Sequence, residues 1–231
     1  VTPGDGSLTL TFTLGSDGGS AITELEYRVD GGAWQTAGSI GSPLTITGLT
    51  NGTEYDVAVR LRNAIGAGAS SATVSGTPSA LPGVPTAITG VAHDSRVTVA
   101  WSAPASNGGT PIDGYTVSAY TQAAGGSPLA TCTTASLTCD VTGLTNGVTV
   151  YLEVTAHNAA GTGVASSPRL ARTPIDVPTV SIASIGYSTT ELAITADVDD
   201  DGGSPVTAYQ YRLDGGAWTN ATTGSPFTIA G

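Results

Sequence analysis

The sequence has 231 residues, of which 39% are hydrophobic and 11% are charged, together with 32 glycines and 13 prolines. This length corresponds to one to three domains, and the composition favours many short strands joined by tight turns. The formal net charge is −11, and all seven basic residues are arginines. Because binding to nucleic acid or to anionic lipid needs clustered cations, the composition excludes both functions. The sequence also lacks a run of about 18 apolar residues, so we expect no membrane insertion.

The first predicted strands are marked by apolar residues at alternate positions, which place one face of a strand in the core. One such face consists of Leu8, Leu10, Phe12 and Leu14. The next signal along the chain is Asp30-Gly31, which is typical of a β-hairpin because glycine takes the positive φ that such turns need. A further strand face follows, formed by Tyr55, Val57, Val59 and Leu61.

Similar faces recur further along the chain. Thr77-Pro78 closes a first repeat, and Thr173-Pro174 closes a second repeat 96 residues later. This period suits one seven-stranded β-sandwich of about 100 residues. The later strand faces are Val97, Val99 and Trp101, then Val150, Leu152, Val154 and Ala156, and in a third repeat Leu192, Ile194 and Ala196.

Short turn motifs recur at corresponding positions of the repeats. Asp17-Gly18-Gly19-Ser20 recurs as Asn107-Gly108-Gly109-Thr110 and as Asp201-Gly202-Gly203-Ser204. The other recurring motifs are Gly48-Leu49-Thr50-Asn51-Gly52 with Gly143-Leu144-Thr145-Asn146-Gly147, Asn63-Ala64-Ile65-Gly66-Ala67-Gly68 with Asn158-Ala159-Ala160-Gly161-Thr162-Gly163, and the Tyr-Arg-x-Asp-Gly-Gly-Ala-Trp segments that end at Trp34 and Trp218.

The repeats resemble fibronectin type III modules. The second repeat carries the residues typical of that family at Trp101, Tyr115, Leu144, Gly147, Asn158, Gly161, Gly163 and Ser166. The first repeat carries them at Leu49, Gly52, Tyr55, Asn63, Gly66, Gly68 and Ser71. The resemblance implies an all-β fold of tandem β-sandwich modules arranged as beads on a string. The implied modules are residues 1–79 without a first strand, residues 80–174 complete, and residues 175–231 without the last two strands.

Some positions depart from the family pattern. Phe12 and Ala196 stand where the family has a tryptophan, and Val150 stands where it has the corner tyrosine. We expect Trp34 and Trp218, on the following hairpins, to fill the core volume that is lost.

The absence of the last two strands from the third repeat predicts unpaired backbone and an open core there. Either the natural protein continues beyond this sequence, or a neighbouring chain supplies strands by β-augmentation. The first alternative is favoured because tandem arrays are often long. Other copies or neighbouring modules of the same protein are therefore the expected partners.

Cys132 and Cys139 are the two cysteines of the chain and flank a segment that is typical of a short hairpin. A disulfide between them is favoured, and its small ring of chain corresponds to about 2.5 kcal/mol of stability in the loop-entropy model. Two buried thiols or half of a metal site are the alternatives, although further ligands are not close in sequence. A disulfide implies an extracellular or cell-surface location.

The acidic run that contains Asp197, Asp199 and Asp201 matches the first half of a calcium loop, with carboxylates at alternate positions before Gly202. The match fails later, because Ala208 stands where such a loop has a glutamate. The alternative is an acidic turn in which aspartates cap backbone amides. Calcium is the only cofactor that the sequence leaves open.

Catalytic motifs are not found, and His93 and His157 are interpreted as ordinary surface residues. We therefore expect no enzymatic activity in this chain. The favoured function is a structural or spacer array of an extracellular surface protein, stalk, fibre or sheath. One alternative is a spacer in a secreted polysaccharide-degrading enzyme, and another is a segment of a calcium-dependent adhesin. Cell-wall or extracellular polysaccharide is a further candidate partner.

Overall fold

The computed structural model describes residues 1–188, 191–221 and 225–230, and within them the secondary structure consists of twenty strands without a helix. The all-β prediction is therefore confirmed. No described helix is long and apolar enough to cross a membrane. The chain forms two compact units, of which one contains Val1–Thr86, Ser102–Thr116 and Thr155–Ser166, and the other Ala87–Trp101, Val117–Val154 and Ser167–Gly231.

The first repeat forms two antiparallel sheets, with strand orders β1-β2-β5 and β4-β3-β6-β7. The strands are β1 (Thr2–Gly4), β2 (Ser7–Leu10), β3 (Ile22–Val29), β4 (Gln35–Thr36), β5 (Leu44–Thr47), β6 (Tyr55–Asn63) and β7 (Val74–Gly76). Alternate residues of both sheets turn inward, so that one apolar core lies between the sheets. The buried side chains of this core are Leu8, Leu10, Leu25, Leu44, Ile46 and Val57.

The second repeat also contains two sheets. One has the strand order β12-β9-β8, and the other has the order β11-β10-β13-β14 with β15 paired to β13. The predicted inward faces are buried, as the alternation of buried and half-buried residues along β9 and β13 shows. The strands are β8 (Thr86–His93), β9 (Arg96–Ser102), β10 (Ile112–Tyr120), β11 (Ala130–Thr134), β12 (Thr138–Thr142), β13 (Val150–Asn158), β14 (Gly161–Thr162) and β15 (Leu170–Arg172).

The third repeat has a sheet with the order β16-β17-β20 and a two-stranded sheet of β18 and β19. Its core is small and is completed by aromatic rings, since the ring of Tyr211 stacks on that of Phe227 with centroids 5.9 Å apart. The strands are β16 (Thr179–Tyr187), β17 (Glu191–Asp200), β18 (Gln210–Tyr211), β19 (Thr219–Asn220) and β20 (Phe227–Ala230). The buried side chains are Ile194, Ala196, Phe227 and Ile229. Gly231, where the predicted third module ends, lies outside the described residues.

The strand predicted from Leu8 to Leu14 is shorter in the structure. Strand β2 ends at Leu10, and the Phe12 N–H donates to the Ser42 hydroxyl at 3.0 Å instead of to a neighbouring strand. Phe12 still packs against the core, whereas Leu14 is exposed. The backbone therefore leaves the sheet before the apolar alternation ends.

The prediction that Trp34 and Trp218 fill the core is wrong. Trp34 is only half-buried, and the Arg60 guanidinium carbon lies 4.2 Å from its ring centroid. Trp218 is 60% exposed and lies beside Arg212, at 4.9 Å. A cation over an indole face stabilises the ring without burial, so these rings remain at the surface.

Candidate functional site: paired glycine turns at the linkers

The turn that contains Asn51 is fastened to the β1–β2 hairpin of its own repeat. The Asn51 side chain donates to the Asp5 carboxylate at 2.8 Å and accepts a hydrogen bond from the Gly6 N–H at 2.8 Å. The Thr50 N–H donates to the phenol oxygen of Tyr55 at 3.0 Å, and this hydrogen bond lowers the pKa of Tyr55. The turn is therefore held by hydrogen bonds within its own repeat.

Asn146 fixes the corresponding turn of the second repeat in the same way. Its side chain donates to the Asp94 carboxylate at 3.0 Å and accepts from the Ser95 N–H at 2.9 Å. The pKa of Asp94 is lowered, mainly by the hydrogen bond from Asn146 and then by that from the Ser95 hydroxyl. Hydrogen bonds to an ionised carboxylate favour its charged form.

The Gly-Gly turns are shaped by the side chains that precede them. In turn 107–110, the Gly108 N–H donates to the Ser106 hydroxyl at 3.2 Å, and the Gly109 N–H donates to the Asn107 side-chain oxygen at 2.9 Å. Both glycines have positive φ, at +77° and +90°. In turn 201–204, the Gly203 N–H donates to the Asp201 carboxylate at 2.8 Å.

Within the first compact unit, these two kinds of turn meet at the linker that follows Pro78. The Gly52 N–H donates to the Pro78 carbonyl at 2.9 Å, and the Ala80 N–H donates to the Gly108 carbonyl at 2.8 Å. The backbones approach so closely that a Cβ atom built on Gly52 would lie 2.7 Å from the carbonyl oxygen of Gly109. Glycine is therefore required at this contact.

The second compact unit contains the same arrangement about 95 residues later. The Gly147 N–H donates to the Pro174 carbonyl at 2.9 Å, and the Asp176 N–H donates to the Gly202 carbonyl at 2.8 Å. A Cβ atom on Gly147 would lie 3.0 Å from the Cα atom of Gly203. Two linkers of the chain are thus held by the same set of backbone hydrogen bonds.

A buried asparagine completes the first of these joints. Asn158 is 5% exposed, and its side-chain nitrogen donates to the carbonyls of Asn107 and Ala80, both at 2.8 Å. One side chain therefore connects the Gly-Gly turn to the linker. The arrangement has no nucleophile or acid–base pair, and what it does is hold two backbone segments together.

The predicted cysteine pair is bonded in the structure. Cys132 lies on β11 and Cys139 on β12, with Cα atoms 6.3 Å apart. The expectation of a short hairpin is wrong, because β11 belongs to the sheet of β10 and β12 to the sheet of β9. The chain changes sheets between the two cysteines, so the disulfide connects two sheets and not two paired strands.

The three predicted calcium ligands lie on or next to strand β17, whose pairing with β16 skips Asp199. Asp197 and Asp199 are on β17, and Asp201 follows it. Asp199 accepts a hydrogen bond from the Ser181 hydroxyl at 2.9 Å, and Asp201 is the residue that shapes turn 201–204. The described residues contain no group of three or more His, Cys, Asp or Glu side chains that could hold a metal ion. Calcium binding therefore stays a prediction.

Of the two histidines, His157 lies on the outer face of β13. Its ring nitrogens are within hydrogen-bond distance of the hydroxyls of Thr116 and Thr162, at 2.8 and 2.9 Å. This arrangement fixes the ring between two neutral side chains. His157 is thereby placed as a structural residue of the sheet surface.

Comparison with known proteins identifies the family. The model of the "Fibronectin type III domain" family matches residues 1–77 and 82–172. The chain belongs to the fibronectin type III family. The module limits 1–79, 80–174 and 175–231 stay predictions, although the two matched segments correspond to the first two repeats.

Two curated relatives match much of this fibronectin type III chain. Exoglucanase B of Cellulomonas fimi is 31% identical over 224 residues, which are 89% of this chain and 20% of the relative. Chitinase A1 of Niallia circulans is 32% identical over 170 residues, which are 70% of this chain and 23% of the relative. The chain therefore spans about a fifth of the length of the curated relatives it matches.

The fold also matches that of a solved structure. The crystal structure of domains A168–A170 from titin aligns with a TM-score of 0.53 and 17% sequence identity. The alignment covers 76% of this chain and 61% of that structure. At this identity the similarity shows the fold alone.

The sequence indicated the glycine turns but not their pairing. The Asn-Gly and Gly-Gly motifs predict recurring turns within each repeat and do not indicate that turns of successive repeats meet. The Gly-Gly sequence carries no signal of the pairing, since Gly18-Gly19 has positive φ values similar to those of Gly108-Gly109, yet a Cβ atom on either residue meets no described atom within 4 Å.

Proposed function

We propose that this chain is a non-catalytic spacer segment that holds the flanking parts of an extracellular polysaccharide-degrading enzyme at a defined separation. The observation that carries the proposal is the repeated joint, in which Gly52 meets Gly109 and Gly147 meets Gly203. A linker without such contacts would behave as a flexible or semi-rigid chain. Here the backbone on both sides of Pro78 and of Pro174 is hydrogen-bonded.

The relatives favour this spacer over the array of a surface stalk, fibre or sheath. An exoglucanase and a chitinase are, by their names, enzymes that cleave polysaccharides, and the match covers only 20% and 23% of them. A segment that makes up about a fifth of an enzyme's length is suited to an accessory role. In this proposal the polysaccharide is bound elsewhere in the protein, and neighbouring modules are the direct partners of this chain.

An extracellular location is part of the proposal. The disulfide between Cys132 and Cys139 is compatible with an oxidising compartment and adds a cross-link between two sheets. The low content of charged residues and the lack of lysine leave few sites for cleavage by proteases that need a basic residue.

The proposal is tested with the complete protein and with this chain alone. We expect the isolated chain to release no sugar from soluble cello- or chito-oligosaccharides. We also expect that it does not bind insoluble cellulose or chitin. Deletion of residues 1–231 from the complete protein should reduce sugar release from the insoluble polymer while release from soluble oligosaccharides stays unchanged. Binding of the isolated chain to the polymer, or a complete protein without hydrolytic activity, would contradict the proposal.

A further inference from the structure

A groove of about 340 Å³ lies beside turn 17–20 of the first module. Its lining includes Asp17, Leu61 and Asn63, and it also includes Ile65, whose side chain is 88% exposed. Asn63 donates from its side chain to the Asp17 carbonyl at 2.9 Å. The groove is therefore formed by the Gly-Gly turn and by the end of β6.

The corresponding place in the second module is occupied by the linker. The Ala80 N–H donates to the Gly108 carbonyl, and the Gly83 N–H donates to the Ser106 carbonyl at 2.9 Å. Leu81 covers the turn after β13, since a Cβ atom on Gly161 would lie 3.1 Å from Leu81 Cδ2. Residues 80–83 thus form a segment that packs on the turn.

The groove of the first module has the same local geometry as this occupied site. The Gly18 N–H donates to the Ser16 hydroxyl at 3.2 Å, and the Gly19 N–H donates to the Asp17 carboxylate at 2.9 Å, as their counterparts do in turn 107–110. The φ values of Gly18 and Gly19 are +67° and +82°. The turn therefore adopts the docking conformation without the linker.

The glycines of this groove are uncovered, unlike their counterparts. A Cβ atom built on Gly18, Gly19 or Gly66 meets no described atom within 4 Å. By contrast, a Cβ atom on Gly108 would overlap the Ala80 carbonyl, and one on Gly161 would touch Leu81. All three glycines of the first module have positive φ, so the backbone conformation alone favours glycine there, whereas in the second module the partner segment also leaves no room for a Cβ atom.

We propose that this groove is a docking site for the linker of another fibronectin type III module, with a segment of the type Ser-Ala-Leu-Pro-Gly bound along turn 17–20. The backbone amide equivalent to that of Ala80 donates to the Gly18 carbonyl, and the carbonyl of the same residue accepts from Asn63. The leucine covers Gly66, and the Asn-Gly turn of the partner module covers Gly19. This inference rests on the proposed spacer function and names the partner of the first module.

The test uses the full chain extended by a second copy of residues 77–89 in front of Val1. Leu8 and Val97 occupy equivalent core positions, so Val1 corresponds to Gly90 and the added copy enters the fold in register. We expect hydrogen exchange at the added alanine equivalent to Ala80 to slow at least about tenfold relative to an unstructured amide. The NMR signals of Gly18 and Gly19 should shift toward those of Gly108 and Gly109.

Gly18→Ala in the extended chain is the decisive variant, because its Cβ atom would overlap the docked linker as one on Gly108 would. Gly19→Ala is the matched control, since Gly19 also has positive φ, a Cβ atom there meets no described atom within 4 Å, and the added segment lacks the Asn-Gly turn that would cover it. Protection that is lost in Gly18→Ala and kept in Gly19→Ala supports the proposal, provided that the signals of the second module are unchanged. The proposal would be overturned if the added alanine amide stays protected in Gly18→Ala. It would also be overturned if that amide is not protected in the extended chain without a substitution. Either result leaves the spacer function to be judged at Gly52 and Gly109.

Discussion

The backbones of Gly52 and Gly109 are in direct contact, and a Cβ atom on Gly52 would lie 2.7 Å from the carbonyl oxygen of Gly109. Non-bonded carbon and oxygen atoms do not pack at that distance without displacement. The same pairing recurs between Gly147 and Gly203. The same backbone geometry therefore holds two linkers of different sequence. The difference between the linker side chains leaves this geometry unchanged.

Substitution Gly109→Ala is expected to open the first joint. A non-glycine residue at positive φ costs about 1–3 kcal/mol, and the overlap with the backbone of Gly52 adds to this cost. We expect faster hydrogen exchange at the amides of Gly52 and Ala80, which are hydrogen-bonded across the joint. Local exchange is the appropriate measurement because a chain of several modules does not unfold in two states.

Gly19→Ala is the matched control for this substitution. Gly19 occupies the same position of its turn, with a φ of +82°, but a Cβ atom there meets no described atom within 4 Å. It therefore carries the backbone strain without the overlap. Equal exchange rates at Gly52 in the two variants would show that the contact contributes nothing to the joint.

The hydrogen bond between Asn146 and Asp94 should make the second module sensitive to acid. The pKa of Asp94 is lowered below its usual value of 3.8 in the folded state, so its contribution is fully present above pH 4 and is lost as the pH falls through the folded value. We expect the Ser95 amide to exchange more slowly in the wild type than in the Asp94→Asn variant at pH 5, and this difference to disappear as the pH falls through the folded pKa of Asp94. A constant ratio across this range would contradict the role of the Asp94 charge.

The regular parts of the fold follow from local sequence signals. The apolar alternation of Val150 to Ala156 predicts a strand with one buried face, and each of those inward residues is buried. Asp30-Gly31 predicts a hairpin turn, and both residues have positive φ, at 51° and 69°. These signals suffice because period-two burial and left-handed turns are properties of a few adjacent residues.

The parts that were not predicted depend on contacts distant in sequence. Cys132 and Cys139 are seven residues apart, and no local pattern distinguishes a hairpin from a crossing between two sheets. The position of Trp34 depends on Arg60, which reaches its ring from β6. The contact between Gly52 and Gly109 likewise depends on the fold of the next repeat. The Gly-Gly motif predicts a backbone conformation, but it does not predict which segment packs against that turn.

Removal of the disulfide is expected to destabilise the second module. Its ring of about eight residues corresponds to about 2.5 kcal/mol in the loop-entropy model, so the double variant Cys132→Ser, Cys139→Ser should show a lower unfolding midpoint in urea. Wild-type protein treated with reductant should behave like the variant. The mass of the untreated chain should be unchanged by a thiol-alkylating reagent, and alkylation of both cysteines before reduction would contradict the pairing.

Calcium is expected to leave the stability of the third repeat unchanged. Asp197 and Asp199 lie on β17 within a hydrogen-bonded sheet, and the Asp199 carboxylate accepts a hydrogen bond from the Ser181 hydroxyl. We expect the melting midpoint to respond equally to millimolar calcium chloride and to sodium chloride at equal ionic strength, because both only screen the acidic surface. A selective rise with calcium that is abolished by Asp199→Asn would instead establish the calcium interpretation.

We expect the side chain of Asn158 to stabilise the chain more than that of its counterpart Asn63. Its side-chain nitrogen donates to the Asn107 and Ala80 carbonyls, both at 2.8 Å, and its oxygen accepts from the Ala160 N–H at 2.9 Å. Asn158→Asp keeps the acceptor and removes the donors, which leaves the part-buried carbonyls of Asn107 and Ala80 facing a carboxyl group. Each hydrogen bond that is lost contributes about 0.5–1.5 kcal/mol.

The matching change Asn63→Asp tests whether this cost arises at the linker. Asn63 donates to the Asp17 carbonyl at 2.9 Å and reaches the Ser20 carbonyl only at 3.4 Å, and it is less buried than Asn158. We expect Asn158→Asp to raise hydrogen exchange at both Ala80 and Gly83, and Asn63→Asp to affect only turn 17–20. If Ala80 exchange is unchanged in Asn158→Asp, the linker is held by the backbone bonds of the glycine turns without help from this side chain.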